Sequence, residues 1–335
     1  HLTDMKRSRI LGTGHYVPEN VVTNEDLLQR LNTSDEWIQQ RTGVKERRFC
    51  PPNTKPSELA HKATLNALEA SGLRETDIDF IICTTQTPEH FFPGTGCYIQ
   101  ARLGIPGVPS LDVRDQCTGF LYGLSIADAY IRRGQYQTIL LVSTEIHSTG
   151  LEWSDHGRHV SVLFGDGAGA VILGGSDSDK HGILGTQLHA DGSFADELCL
   201  SAPGTGYDPW ISHEMIDQGL HFPRMNGKVV FKEAVSCMTR VSKAILKEHQ
   251  MSIEDVDYFI PHQANMRITE AVVKLTGMNP GKVDNSIRKY GNCASASVPI
   301  SLDEAVRNGR IQPGDTVLMS TFASGFTWGA ALLKW

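Results

Sequence analysis

No apolar run in this 335-residue sequence approaches the roughly 18 residues that a helical membrane span needs. A basic excess is also missing. Its 31 lysines and arginines stand against 38 aspartates and glutamates, a net charge of −7, which argues against a dedicated nucleic-acid binder. After His1-Leu2-Thr3-Asp4-Met5 no cationic stretch leads into an apolar one. No secretory signal is therefore expected, residues ahead of Met5 are expected to precede the fold, and the expected compartment is the cytoplasm. The seven cysteines are odd in number, scattered, and never spaced C-x-x-C, so neither a disulfide framework nor a zinc site is expected. The G-x-S-x-G elbow of serine hydrolases is absent as well. Gly165-Asp166-Gly167-Ala168-Gly169 is followed by strand-like Ala170-Val171-Ile172-Leu173, whereas a dinucleotide fingerprint needs a helix there. That segment reads as a tight hairpin, and nicotinamide binding is not expected.

What is present is a regular alternation of strand-like and helix-like segments, the pattern of an α/β protein. Ser57–Gly72 has helical spacing and leads into the apolar strand 78–82; helix 121–133 leads into strand 138–142. The programme then repeats. Asp255-Val256-Asp257-Tyr258-Phe259-Ile260 resembles Asp77-Ile78-Asp79-Phe80-Ile81-Ile82, and Thr316-Val317-Leu318-Met319 resembles Thr138-Ile139-Leu140-Leu141. Both pairs are offset by 178 residues, and helix 229–247 sits over the helix before Ile78 at the same offset. A duplicated α/β unit explains this. Its halves, residues 1–177 and 178–335, are expected to meet near Gly174-Gly175-Ser176-Asp177-Ser178-Asp179, which has the composition of a turn region. Ligands of open parallel sheets bind beyond the carboxyl ends of the strands, so chemistry is sought there.

Three polar residues fall at such joints. Cys117 lies between a short strand ending near Val113 and the start of the next helix, where free N–H groups favour thiolate over thiol. A buried structural thiol is the alternative for this position. His262 follows the repeated strand directly, although twelve other histidines compete with it. Asn292 precedes the helix that repeats the Cys117 helix, and the 178-residue offset carries Cys117 onto Ser295. An asparagine there is more often a helix cap than a catalyst. The convergence of all three on corresponding edges of two related halves outweighs any one of them.

Several ordered segments resemble the β-ketoacyl-[acyl carrier protein] synthase III family, condensing enzymes of the thiolase superfamily. They are Thr33-Ser34-Asp35-Glu36-Trp37-Ile38, Arg41-Thr42-Gly43, Phe164-Gly165-Asp166-Gly167-Ala168-Gly169-Ala170, Leu188-His189-Ala190-Asp191-Gly192-Ser193, Pro261-His262-Gln263-Ala264-Asn265, Gly291-Asn292 and Gly325-Phe326-Thr327-Trp328-Gly329. The resemblance implies a thiolase-like fold, duplicated halves in a five-layered α/β/α/β/α arrangement, and a homodimer. It implies that Cys117 accepts an acyl group from acyl-CoA, with His262 and Asn292 serving decarboxylation of malonyl-acyl carrier protein. Backbone N–H groups of Cys117 and Ser324 correspond to the family's oxyanion hole. Trp37, Arg41, Arg158 and Asn265 correspond to contacts with CoA. Phe164 and Phe92 correspond to the acyl pocket, Phe92 being lent by the other subunit, with Phe91 a competing register. Lys232 and Arg267 are the expected docking cations for the acidic carrier protein. CoA is then a substrate, and neither a cofactor nor a metal is implied.

The sequence departs from that pattern in three places. Asp115-Gln116 replaces the small residues usual before the cysteine, Ala323-Ser324-Gly325 replaces a run of three glycines, and residues 200–225 have little likeness to the family core. These leave the starter acyl group and the pathway open. Three rivals stand beside decarboxylative condensation. One is a condensing enzyme or acyltransferase of a specialised pathway. Another is a papain-like hydrolase, since 145 residues separate Cys117 from His262, but its C-G-[SA]-C-[WY] signature is absent. The third is a non-catalytic carrier-binding protein, which retention of all three polar residues disfavours.

Overall fold

The computed structural model describes residues 7–178 and 180–335. The reading of the residues before Met5 lies outside the described residues, as does Asp179 of the expected linker. Two mixed sheets form the frame. The first contains β1 (Arg7–Tyr16), β2 (Phe80–Thr84), β3 (Ser110–Val113), β4 (Thr138–Glu145) and β5 (Gly167–Ser176) in the order β1-β5-β4-β2-β3. The second contains β6 (Gly182–Ala190), β7 (Tyr258–Pro261), β8 (Thr316–Ala323) and β9 (Thr327–Lys334) in the order β7-β8-β9-β6. Within the parallel pairs (β2 with β3 and β4; β7 with β8), β2 and β7 are mostly apolar and buried along their whole length because both faces are covered.

Apart from α1 (Asp35–Thr42), which carries Trp37 and Arg41, the helices relevant here take three positions. α2 (Pro56–Ser71) and α3 (Thr95–Leu103) cover the outer face of the first sheet. α4 (Gly119–Arg132) and α7 (Ser297–Arg307) lie between the sheets, burying Phe120, Leu124, Val298 and Leu302 against both. α5 (Gly227–Glu248) and α6 (Met266–Thr276) cover the outer face of the second. The sequence order of layers is thus α/β/α/β/α, as the resemblance implied. The apolar stripe of α5, Val230, Ala234, Val241 and Ile245, is buried, together with Cys237, Met238 and Leu246.

The 178-residue repeat persists to single hydrogen bonds. The Asp79 carboxylate accepts from Thr138 N at 3.0 Å, and Asp257 from Thr316 N at 2.8 Å. Short 3-10 turns at Gln116–Thr118 and Ala294–Ala296 precede α4 and α7, and each opens on a non-glycine residue with φ of +44°, Gln116 and Ala294. Two expectations need correction. Gly174-Gly175-Ser176 are not linker but the end of β5, where they pair with Arg9, Ser8 and Arg7 of β1. The Gly165–Gly169 segment is not a tight hairpin: β5 does run antiparallel to β4, but residues 146–166 intervene and include a helical turn, Arg158–Ser161. Alternating apolarity could not reveal an excursion whose side chains line a cavity rather than a core.

Candidate active site

One cavity of about 1710 Å³ opens at the carboxyl ends of β2, β4, β7 and β8, and Cys117, His262, Asn292 and Ser324 all line it. Cys117 sits in the 3-10 turn before α4, 8% exposed, packed against Ala294 and Ala323. In the first turn of a helix its N–H lacks an intrahelical acceptor. The helix terminus does not leave the resting thiol acidic, contrary to the expectation from position. Burial raises its pKa above the usual thiol value, the Glu145 and Asp115 carboxylates add to the effect, and the residue's own backbone N–H opposes them. Asp115 nevertheless does not reach the cavity, since its carboxylate accepts from Thr327 Oγ1 at 2.9 Å. Gln116 does line it.

His262 follows β7, its backbone N–H donating to Ser320 O at 2.8 Å. Burial lowers its pKa to about 3, so the imidazole is neutral at physiological pH. Nδ1 is buried without a hydrogen-bond partner among the described residues. Asn292 is both cap and candidate donor. Its Oδ1 accepts from Ala294 N at 2.7 Å, which fixes the amide and leaves Nδ2 without a partner among the described residues. The loop itself is held by Asn292 N donating to Leu163 O and by Gly165 N donating to Asn292 O, at 2.7 and 3.0 Å. Two glycines permit that approach. A Cβ at Gly165 would collide with the Tyr290 carbonyl, and Gly291 has φ of +65°.

Around the mouth, Trp37, Arg41, Asn265 and Arg267 line the cavity; Arg158 does not, lying on the Trp37 ring with its guanidinium carbon 5.2 Å from the centroid. Arg41 sits 5.9 Å from the same ring. Asn265 is the N-cap of α6, its Oδ1 accepting from Arg267 N at 2.9 Å. Phe164 lines the cavity as expected, whereas Phe92 does not line that of its own chain. Phe92 is 81% exposed, while Phe91, itself 56% exposed, lines the cavity and meets Trp210 edge-on at 5.6 Å. Lys232 is exposed beside Glu233, and Arg267 lies over Phe231. The segment 200–225 forms part of the wall: Leu200, Pro203, Trp210, His221 and Pro223 line the cavity, framed by the short strand pair Leu198–Cys199 and Arg224–Met225. Among the described residues no cluster of three or more histidines, cysteines and acidic residues could hold a metal ion, and no helix is long and apolar enough to cross a membrane.

Sequence reasoning missed Glu145. It ends β4, is fully buried, and accepts from Ser295 Oγ (2.6 Å), Thr87 Oγ1 (2.6 Å), Thr85 Oγ1 (3.2 Å) and the N–H groups of Gln86 and Ser295. The repeat held the signal, because the 178-residue offset pairs Ser295 with Cys117 and Glu145 with Ala323. Glu145 therefore ties the β2 end to the turn carrying Asn292, and its charge opposes thiolate formation at Cys117. Glu145→Gln, which keeps an acceptor oxygen but removes the charge, is expected to raise the rate of Cys117 alkylation by iodoacetamide at a fixed pH of 8, read by peptide mass. An unmoved or lowered rate contradicts that electrostatic role. Glu145→Ala orphans several buried donors, each costing about 1–3 kcal/mol, and is expected to lower the melting temperature far more than Glu145→Gln.

Comparison with known proteins agrees with this arrangement. The family profile for 3-oxoacyl-[acyl-carrier-protein] synthase III matches residues 111–192, and the profile for its C-terminal part matches residues 246–335. A relative from Aliivibrio fischeri named β-ketoacyl-[acyl-carrier-protein] synthase III is 43% identical over 98% of this chain and 99% of its own length. The crystal structure of 3-oxoacyl-[acyl-carrier-protein] synthase III from Aquifex aeolicus superposes with a TM-score of 0.89 at 40% identity, covering 98% of this chain and all of that one. The priming β-ketosynthase of the R1128 polyketide pathway superposes with a TM-score of 0.90 at 31% identity, covering all of this chain and 98% of the other. The duplicated frame, the joint residues and these likenesses agree: the chain belongs to the 3-oxoacyl-[acyl-carrier-protein] synthase III family.

Proposed function

We propose that this chain condenses an acyl-CoA starter with malonyl-acyl carrier protein, releasing CoA and carbon dioxide and giving the 3-oxoacyl-carrier protein that begins fatty acid synthesis. The observation that carries the reading is that Cys117 from one half, and His262 and Asn292 from the other, face one cavity. In the first step Cys117 sulfur attacks the acyl-CoA carbonyl, its thiol proton leaves, and CoA departs as the thiol. Backbone N–H groups of Cys117 and Ser324 stabilise the tetrahedral oxyanion. In the second step malonyl-carrier protein loses carbon dioxide, and hydrogen bonds from neutral His262 and Asn292 Nδ2 stabilise the thioester enolate. The enolate carbon then attacks the Cys117 thioester, and the thiolate leaves. All of this needs only side chains and backbone of the chain itself, with CoA as substrate rather than cofactor.

Trp37 and Arg41 at the mouth suit the purine and phosphates of CoA. Arg158 belongs to this subsite once it lifts from the Trp37 ring, since a purine between them needs more separation than 5.2 Å. Two features support a homodimer: β3 is an edge strand just before Cys117, and Phe92 is 81% exposed, available to a second copy. Consumption of CoA thioesters supports a cytoplasmic location. Incubation with acetyl-, butyryl- and octanoyl-CoA followed by intact-protein mass, and then malonyl-carrier protein with carbon dioxide capture, tests the proposal. Absence of any acyl-enzyme sinks it. A specialised condensing enzyme is the second reading, favoured by Gln116 at the cavity wall, a departure from the small residue that the family resemblance implies there.

Docking of the carrier protein is assigned to Arg267 at the mouth and to exposed Lys232. An acidic partner of a chain with net charge −7 needs such a local cationic patch. Charge reversal, Arg267→Glu or Lys232→Glu, is expected to raise KM for malonyl-carrier protein about 3- to 10-fold and to weaken its salt dependence. Steady-state kinetics at two ionic strengths measure this. Carrier kinetics unchanged in both variants place the docking surface elsewhere.

A further inference from the structure

The wall beside Phe164 is not a hydrocarbon surface. His147 packs its ring against Phe164 with centroids 4.6 Å apart, and both line the cavity that holds Cys117. The tautomer of its neutral ring follows from its partners. Nδ1 lies 2.9 Å from Gly165 O, and a carbonyl oxygen can only accept, so Nδ1 carries the proton. In the neutral ring Nε2 is then an acceptor, and its neighbour at 2.9 Å, Gln86 Nε2, is the donor. This orients the amide completely. One Gln86 N–H is consumed, while the second N–H and the carbonyl oxygen have no partner among the described residues, and Gln86 itself lines the cavity.

The pair is rigid. Glu145 accepts from Gln86 N at 3.2 Å, and Asp166 accepts from His147 N at 2.7 Å, so both backbones are held by buried carboxylates. A polar group fixed this way cannot turn aside when an alkyl chain is pressed against it; the chain would only displace its hydration without replacing it.

We infer that the acyl pocket selects a starter carrying a hydroxyl group, which donates to the free Gln86 carbonyl oxygen and accepts from the free Gln86 N–H, over the unsubstituted alkyl chain of equal length. The inference rests on the condensing reading above and on placing the acyl chain beside Phe164; it adds the substrate class. A pocket that hydrogen-bonds a substrate hydroxyl rejects the analogue lacking it by far more than one methylene costs. The half-buried setting of Gln86 limits the expected preference to about tenfold.

The experiment compares second-order rates of Cys117 acylation, by intact mass, for butyryl-CoA, both enantiomers of 3-hydroxybutyryl-CoA, and 4-hydroxybutyryl-CoA. At least one hydroxylated starter should exceed butyryl-CoA about tenfold. That ratio should fall towards one in Gln86→Leu and in His147→Leu. Butyryl-CoA equalling or exceeding every hydroxylated starter in the wild-type protein overturns the inference, whether or not the variants fold. A ratio that survives in both folded variants overturns it too. The parent reading fails differently: no CoA thioester then acylates Cys117 at all, which removes both proposals together.

Discussion

Cys117→Ala is expected to abolish acyl-enzyme formation and to lower condensation by about 10⁶-fold, the scale on which loss of a covalent nucleophile acts. The competing thiol is Cys199, which lines the same cavity from the Leu198–Cys199 strand. Cys199 sits in a short strand rather than at a helix terminus, and among the described residues its sulfur has hydrogen-bond contacts with Asp196 O and Ser201 Oγ alone. Cys83 and Cys293 are fully enclosed, and burial raises both thiols well above the ordinary value. Peptide mapping after treatment with acyl-CoA should therefore find one acyl mass, on Cys117 alone. Acyl label on Cys199 in the variant would move the nucleophile. The raised thiol pKa adds a sign. Below that pKa the thiolate fraction grows about tenfold per pH unit, so alkylation of the empty enzyme should climb steadily from pH 6 to 9.

The duplication made most of this site legible before any coordinates. An offset of 178 residues carries the Asp79–Thr138 clamp onto Asp257–Thr316 and the Cys117 turn onto the Ser295 turn, so the duplicated frame and the convergence of three joints followed from pattern, whereas the five-layered arrangement came with the family resemblance. The residues that tune the site were hidden for a physical reason. Glu145, Gln86 and His147 sit at or just beyond the ends of apolar strands, where a polar residue reads as the start of a loop. Their roles depend on partners 18 to 150 residues away, Gly165 and Ser295 among them. Local pattern carries no such information. The 146–166 excursion and the wall built by 200–225 escaped similarly, because a cavity lining need not follow the period of a helix or a strand. The Asp115 carboxylate could not be placed from the sequence either; its bond to Thr327, 212 residues on, turns it from the cavity.

Asn292→Ala and His262→Ala are expected to separate the two half-reactions. Both side chains are aimed at charge that develops only when malonyl-carrier protein decarboxylates, and each such donor contributes about 2.7–4 kcal/mol, or 10²- to 10³-fold in rate. Single-turnover acylation by acyl-CoA should thus fall little, while carbon dioxide release falls by two to three orders of magnitude. The two variants should differ in their structural cost. Asn292 Oδ1 caps Ala294 N, so its loss loosens the turn beside Cys117 and lowers the melting temperature, whereas His262 has an unpartnered Nδ1 and loses no side-chain hydrogen bond. The pH dependence follows from the lowered histidine pKa. Between about 3 in the folded protein and the ordinary 6.5 in the unfolded chain, the unfolded state binds more protons at this residue. His262 therefore contributes a loss of stability as pH falls through that window, a loss that His262→Ala should relieve. The native imidazole stays neutral at pH 5, and decarboxylation should persist there as long as the fold does. Acylation falling as far as decarboxylation in both variants would contradict the division of labour, because a donor needed equally by both steps is not aimed at the enolate.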